Sequence, residues 1–425
     1  MSTSVLPRSL RPGALRRPRR LAERLPVSLA LSLVALAGCG GGGSEATVAA
    51  VPAGAAAGSS CDVATGRVLA VGPGKTYATP SAAAAVARAG DVVTIAAGDY
   101  HGDVATWSVD GLTICGVGGR ARLFADGKSA QGKAIWVVGG ANVTIDNVEF
   151  HDAKVVDRNG AGIRIEGSSL TIRNSGFFDN EDGILGGDNA TITIDRSEFA
   201  RNGYGDGFSH NLYVGHANLL TVTASWFHEA KVGHNLKSRA KETRIENSYF
   251  MDGPSGTSSY LCDFPNGGVV TLRGNAFQKG PLAQNSTAIS FGAEGLTWTA
   301  NTLALSQNTV VMTRSGGNFI WAPATAQSVS LTANLFAGTG TPTLVSGGYA
   351  IANVVQSSNV TSTAAHVPGA DSIAAPAFWP DAMLLGQAAL AGVPDPAYVQ
   401  DAPHPFSTRP ISGGTRIAGA LQAAP

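Results

Sequence analysis

The feature of this sequence that most constrains its fold is a repeat in which an aliphatic residue is followed five positions later by Phe or another apolar residue. Successive aliphatic positions are 22 to 33 residues apart. A period of this size indicates a solenoid with one copy per turn, and the unequal spacing predicts one loop of variable length in each turn. The eight copies are Ile145/Phe150, Ile172/Phe177, Ile194/Phe199, Val222/Phe227, Ile245/Phe250, Leu272/Phe277, Leu305/Val310 and Leu331/Phe336.

A polar turn separates the two apolar residues of each copy. Asn147, Asn174 and Asn247 stand two residues after the aliphatic position. Because stacked turns place equivalent residues at one level, we expect small polar side chains there to hydrogen-bond from turn to turn. Such residues recur at the next position as Ser175, Ser197, Ser225, Ser248, Asn275, Asn308 and Asn334.

A second short apolar run follows each copy. These runs are joined by turns and not by amphipathic helices, which excludes a doubly wound α/β fold. They predict an all-β chain whose parallel strands coil into a β-helix over residues 61–355. An antiparallel sandwich is the alternative, but it does not favour such a period with the same motif in each copy. The runs are residues 163–165, 184–185, 212–214, 236–237, 261–262, 289–291 and 319–321.

The start of the body contains the one helix that its sequence predicts, an Ala-rich segment up to Ala89 with Ser81 as its N-cap. With residues 71–77 and 90–100, it resembles the opening of right-handed parallel β-helix proteins of the pectin-lyase-like superfamily, in which a short N-terminal helix caps the first turn. The resemblance covers residues 68–340. The Pro-rich residues 356–425 are expected to pack along the β-helix or to cap it.

The first 38 residues predict an export signal, because seven Arg precede the apolar run at residues 25–37. Residues 36–39 (LAGC) resemble the lipobox of bacterial lipoproteins, which implies lipidation of Cys39. The alternative is an ordinary secretory signal with an unrelated Cys. Residues 39–60 then predict a flexible Gly/Ala/Ser tether. We expect a monomer in the bacterial cell envelope, on the periplasmic or outer-membrane face, held to the membrane by its lipid anchor only.

Three further cysteines lie in a compartment where disulfides persist. Cys61 and Cys115 bracket the first turns and are expected to pair, which leaves Cys262 as a buried thiol. The alternative pair, Cys115 with Cys262, would have to cross several turns.

Charge is distributed unevenly along the chain. Without its first 38 residues the chain has 23 basic and 29 acidic residues, a net charge of −6, which argues against nucleic acid as a partner. Residues 231–244 nevertheless contain five basic residues and one acid, Glu242. We therefore expect a local basic face that binds an anionic polysaccharide. The five are Lys231, Lys237, Arg239, Lys241 and Arg244.

Two adjacent turns contain nearly the same words, SHNLYVG at residues 209–215 and GHNLKSR at residues 233–239. Neighbouring parallel strands are ~4.8 Å apart, so residues aligned by the two leucines should form stacked pairs. These pairs are His210 with His234, Asn211 with Asn235, and Tyr213 with Lys237. If the leucines point inward, alternation sends outward Asn211, Tyr213, Asn235, Lys237 and Arg239. The direction of the two His stays open, and corner residues bonded to backbone are an equal interpretation.

Proton abstraction next to a uronate carboxylate needs a base, an acid and a cation. Lys237, His234 or His210 is the candidate base and Tyr213 the candidate acid for the leaving oxygen. Arg239 or Arg244 is expected to bind the carboxylate. Asp263 and Asn266 either bind sugar or shape the turn before residues 267–268, and Asn211 and Asn235 are further candidates for substrate binding. For the cations, a solvated surface is the competing interpretation.

Two more resemblances involve this region. Residues 237–238, 247–250 and 267–273 are similar to the active region of the chondroitinase B and alginate lyase family, which implies Lys and Arg as base and acid. Residues 234–240, 259–268 and 291–295 resemble a broad group of bacterial right-handed β-helix repeat proteins more closely, which implies the fold and the setting.

The leading functional hypothesis is a lyase or C5-epimerase acting on an anionic, uronate-containing glycan. The alternative is a non-catalytic carbohydrate-binding or cell-envelope lipoprotein. Hydrolysis is less favoured, because no pair of carboxylates is evident on this face. No cofactor or metal is predicted; Asp179, Glu181 and Asp182 could bind Ca²⁺, but three acids in four residues are interpreted as an exposed loop.

Overall fold

A computed structural model describes residues 58–391, 399–401, 404–409 and 416–422. Residues 68–363 form a right-handed parallel β-helix, which confirms the predicted fold. Each regular turn contributes one strand to each of three faces, named sheets I, II and III in chain order. The predicted signal, Cys39 and nearly all of the predicted tether lie outside the described residues.

Sheet I has ten parallel strands: Ala105–Trp107, Ala134–Val138, Ala161–Ile165, Asp182–Gly186, Leu212–Val214, Leu236–Ser238, Cys262–Phe264, Thr287–Phe291, Asn318–Trp321 and Thr343–Ser346. Sheet II contains Val143–Asp146, Ser169–Arg173, Thr191–Asp195, Leu219–Thr223, Glu242–Glu246, Val269–Arg273, Thr302–Ser306, Ser328–Thr332 and Val355–Ser357. Sheet III contains Val148–His151, Gly176–Phe178, Glu198–Ala200, Trp226–His228, Tyr249–Met251, Ala276–Lys279, Thr309–Ser315, Leu335–Thr339 and Val360–Thr363. Sheets II and III join through the long strands Val92–His101 and Thr113–Phe124, and Val68–Val71 pairs with the first of these.

The repeat stacks in register, as its period predicted. Every aliphatic position pairs with the next along sheet II, and every Phe position does so along sheet III. Six phenylalanine rings, from Phe150 to Phe277, stack inside the solenoid with centroids 4.5–5.2 Å apart. Since these side chains are fully buried, the interior is a continuous apolar column.

The turn between sheets II and III holds the predicted polar ladder. Asn147, Asn174 and Asn247 have positive φ, a conformation that Asn tolerates better than most residues. The next residue in each turn is buried, and its side-chain oxygen accepts the backbone N–H of the turn before, as Ser197 does from Ser175 at 3.2 Å. This ladder satisfies backbone donors that the solenoid wall would otherwise bury without partners.

A second ladder fills the corner between sheets III and I. Asn180, Asn202, Asn211 and Asn235 are buried, and each amide donates to the next, with Asn211 Nδ2 2.7 Å from Asn235 Oδ1. The prediction that Asn211 and Asn235 point outward is therefore wrong. Both residues precede their strands, so strand alternation does not apply to them. Neither amide faces a surface at which a glycan would bind.

The N-terminal end is tied down by two short helices, Ser60–Val63 and Pro80–Ala84. The N-cap of the second is Thr79 and not Ser81, because Pro80 occupies the first helical position. Ser81 lies inside the helix and donates to Asp103. Buried Ala83 packs into the core, whereas the helix's role as a cap stays a prediction.

Cys61 and Cys115 form a disulfide with Cα atoms 6.0 Å apart, the pairing that the sequence favoured. It links the first helix to the strand Thr113–Phe124. Cys262 is a buried thiol, and burial raises its pKa well above the usual value. None of the described helices has the length and apolar character needed to cross a membrane.

Described parts of the C-terminal region pack on the outer face of sheet III. Phe378, Leu384 and Ile417 join an apolar cluster with Tyr249 and Met251, whose side chains leave that sheet outward. The region includes the helix Ala382–Ala388, the 3₁₀ helices Ile351–Asn353 and Ala364–His366, and the antiparallel pair Val399–Asp401 and His404–Arg409. Packing along the β-helix is one of the two predicted arrangements.

Replacing Asn211 by Ala is expected to lower the free energy of unfolding by about 2 kcal/mol, because it leaves the Asn202 amide and the His228 carbonyl without their buried partner. Thermal and urea unfolding followed by circular dichroism measure the change. Asn218→Ala is the matched control, since Asn218 is exposed, and it should change stability far less. Equal stability of the two variants would contradict a structural role for the ladder.

Candidate functional site

The candidate site lies on the outer face of sheet I. Strand register aligns one outward residue from each strand in a single line, which we call the outer column. Its inward neighbours, such as Leu212, Leu236 and Ile289, belong to the core, so alternation directs the column to the surface. The column is Thr106, Val137, Arg164, Leu185, Tyr213, Lys237, Asp263, Ser290, Trp321 and Ser346.

The outward direction predicted for Tyr213, Lys237 and Arg239 is found in the structure. Arg239 Nε donates to the Tyr213 hydroxyl at 2.8 Å, and Nη1 donates to Asn266 Oδ1. Lys237 Nζ and Arg239 both lie beside the Tyr213 ring. The candidate cations, the candidate acid and Asn266 therefore form one cluster.

Glu294 completes this cluster and was not among the predicted site residues. Its carboxylate bridges the two cations, with Oε1 2.9 Å from Lys237 Nζ and Oε2 2.6 Å from Arg239 Nη2. Burial alone would raise the pKa of Glu294, but the hydrogen bonds from the cations outweigh it and lower the pKa. Its side chain is 47% exposed, against 11% for Lys237 and 16% for Arg239. Glu294 therefore covers the cations from the solvent side.

Asp263 lies behind Lys237 in the outer column. One carboxylate oxygen is 3.8 Å from Lys237 Nζ and 3.4 Å from His234 Nε2. Burial raises the pKa of Asp263 to about 6, and Lys237 offsets part of that rise. Asp263 thus changes its charge close to neutral pH, where a proton-transfer group is most effective.

His210, His234 and Tyr260 form a ring stack at the start of the strands, with centroids 4.6 and 5.0 Å apart. His210 Nδ1 accepts the His234 N–H, and His234 Nδ1 accepts the Tyr260 N–H. Burial lowers the pKa of both imidazoles well below 6.5, and nearby positive groups lower it further. Each ring is therefore neutral with its proton on Nε2, and its lone pair is already used. Neither His is free to act as a base in this arrangement, so the corner interpretation holds.

The predicted basic face does not exist as one surface. Arg244 lies on sheet II and pairs with Glu242 at 2.6 Å, so it is absent from the cluster. Lys231 lies in the corner loop and pairs with Asp179 at 3.1 Å. A count along the chain missed Glu294 because it comes from a loop two turns further on. The chance to find it lay in residues 291–295, already noted for their resemblance to other β-helix proteins.

The three clustered acids are not an exposed loop, as was expected. Glu181 and Asp182 are buried, and Glu181 accepts the backbone N–H groups of Val155 and Gly160. Asp182 accepts the His210 N–H, and burial raises its pKa well above the usual value. Asp179 binds Arg201 and Lys231. Within the described residues no group of His, Cys, Asp and Glu is arranged to hold a metal ion.

Fold and site together define a right-handed parallel β-helix protein with a charged cluster on one sheet. Residues 105–277 match the family model described as the right handed beta helix region. The crystal structure of pectate lyase Pel9A superposes with a TM-score of 0.59 at 14% identity, covering 86% of this chain and 98% of that one. No curated protein matches this sequence. At such identity the structural likeness shows the fold alone.

Proposed function

We propose that this protein acts on a polysaccharide that carries carboxylates, by proton transfer beside one of them. The observation that carries the proposal is the carboxylate of Glu294, held by Lys237 and Arg239 next to Asp263. A likeness to a pectate lyase supports a glycan as the ligand. The outer column offers an extended surface on which such a chain would lie.

Glu294 marks the position that the glycan carboxylate would take. Two cations from neighbouring positions grip its two oxygens separately, as a bidentate anion site does. Arg239 is held in place by Tyr213 and Asn266 and so keeps its orientation when Glu294 leaves. Because the Glu294 side chain is half exposed, it can rotate into solvent and give up the site to a substrate.

Lys237 is the proposed base and Asp263 its proton acceptor. The Lys237 ammonium passes one proton to the ionised Asp263 carboxylate, and the neutral amine then removes the proton at C5 of the uronate. The C–H electron pair forms the C4=C5 double bond as the C4–O bond breaks. The leaving oxygen takes the proton of the Tyr213 hydroxyl, whose oxygen already accepts a hydrogen bond from Arg239. Reprotonation of C5 from the opposite face would instead give an epimer.

Hydrolysis by two carboxylates is less consistent with this geometry. Asp263 and Glu294 do form a pair on this face, contrary to the expectation from sequence. Both contact the same Lys237 ammonium, however, so Lys237 fills the space in which a glycosidic bond and a water molecule would have to lie.

Asp263→Asn is expected to lower kcat on the uronate glycan by about 100-fold, because the amide cannot take a proton from Lys237. In the wild type, activity should fall as the pH drops through about 6, since Asp263 must be ionised to accept that proton. Soluble protein incubated with alginate, pectate, glycosaminoglycans and glucuronan is assayed for unsaturated uronate by ultraviolet absorbance and for C5 inversion by NMR.

Asp157→Asn, at an exposed acid of another loop, is the control and should keep full activity. Full activity of Asp263→Asn would contradict the proton path. Binding of these glycans without any product would instead favour a non-catalytic glycan-binding protein.

Glu294→Gln is expected to tighten the binding of a uronate oligomer about tenfold, because the internal competitor loses its charge while its shape is kept. Isothermal titration calorimetry measures Kd. Glu242→Gln is the matched control, since Glu242 pairs with Arg244 on sheet II in a similar way, and its Kd should equal that of the wild type. Weaker binding by Glu294→Gln would show that Glu294 does not compete with the ligand.

We also propose a lipid-anchored setting in the bacterial cell envelope, supported by residues 36–39 and the Arg-rich segment before them. Cys39→Ser is expected to move the full chain, expressed in a bacterium, from the membrane fraction to the soluble fraction. The control Cys262→Ser should stay with the membranes. A wild-type protein found in the soluble fraction without attached lipid would contradict the anchor.

A further inference from the structure

A second cation, Arg164, lies in the outer column three strands before Lys237. It is half-buried, and no described acid forms an ion pair with it. Its Nε atom is buried without a hydrogen-bond partner. Arg239 differs in this respect, because it donates to Tyr213, Asn266 and Glu294.

The acids nearest to Arg164 do not neutralise it. Glu166 pairs with Lys133. Asp182 is buried, and burial raises its pKa well above 3.8, which favours the uncharged acid. One Asp182 oxygen accepts the His210 N–H, and the other has no partner. Burial lowers the pKa of Arg164 itself, and Asp182 and Glu166 only partly offset this effect. Arg164 therefore remains a cation without a counter-charge in contact.

The surface between the two cations suits a sugar chain. Leu185 and Tyr213 occupy the two positions between Arg164 and Lys237 in the outer column. They offer an apolar floor and an aromatic ring, against which the C–H faces of pyranose rings can pack. Three strand steps of ~4.8 Å separate the cations by roughly 14 Å, a distance that several linked sugar units span.

We propose that Arg164 is a second carboxylate subsite, which binds another uronate unit of the glycan whose reacting unit lies at Lys237 and Arg239. This proposal rests on the proposed function, because it needs the glycan to follow the outer column. It makes the ligand a polyanionic chain of several units, gripped at two carboxylates with uncharged contacts between them.

The test compares Arg164→Gln with the wild type in binding short and long uronate oligomers, of about two and about eight units, by isothermal titration calorimetry. Loss of the distant subsite should raise Kd for the long oligomer about tenfold and leave Kd for the short one unchanged. Arg164→Lys keeps the charge and should retain most of the affinity. Arg173→Gln, at an exposed cation on sheet II, is the control and should bind both oligomers normally.

A second measurement needs no variant and therefore holds even if Arg164→Gln does not fold. In the wild type, Kd should fall with oligomer length until the chain spans both cations and should then level off. The same Kd at every length would overturn the subsite while leaving the proposed function standing. Unchanged binding of the long oligomer by a folded Arg164→Gln would overturn it equally. If no wild-type binding of any oligomer is detected, the proposed function fails together with the subsite.

Discussion

In-register stacking of parallel strands is the interaction on which the rest of this structure depends. It aligns residues 22 to 33 positions apart in sequence at the spacing of neighbouring strands. Like residues therefore contact like residues: phenylalanines form the ring column of the core, and Ser or Asn form the polar ladders of the corners. A solenoid can bury its backbone corners only because those ladders supply partners to every turn, so the same register that builds the core also closes the wall.

Register also explains the chemistry of the outer face. Placing Lys237 between Tyr213 and Asp263 is a consequence of strand pairing alone. Two charged groups on neighbouring strands of a partly buried surface influence each other strongly, because little water lies between them. Asp263 consequently titrates near neutral pH, and a side chain from a distant loop, Glu294, keeps the cations paired when no ligand is bound. Burying the cations without such a partner would cost far more.

Sequence reasoning succeeded where periodicity decides the outcome. The spacing of the Ile/Phe pairs identified the turns, and the matching His-Asn-Leu words placed Tyr213 beside Lys237. It failed at corners and in loops, where no period operates. Asn211 and Asn235 precede their strands and turn into the wall, and Arg244 belongs to the next sheet. Glu294 could not be placed because a loop two turns away reaches the cluster through its own backbone contacts, such as its N–H donating to the Pro265 carbonyl.

The arrangement explains how a chain with an excess of acidic residues can bind a polyanion. A broad positive surface would attract any anion by long-range field, and its effect would weaken with salt. Here the positive groups are few, partly buried and set a fixed number of strands apart, so attraction depends on matching the spacing of carboxylates along a chain. Anions of the wrong spacing contact one cation at most and still meet the competing charge of Glu294. Selectivity then follows from strand geometry, because the solenoid acts as a ruler whose unit is one turn.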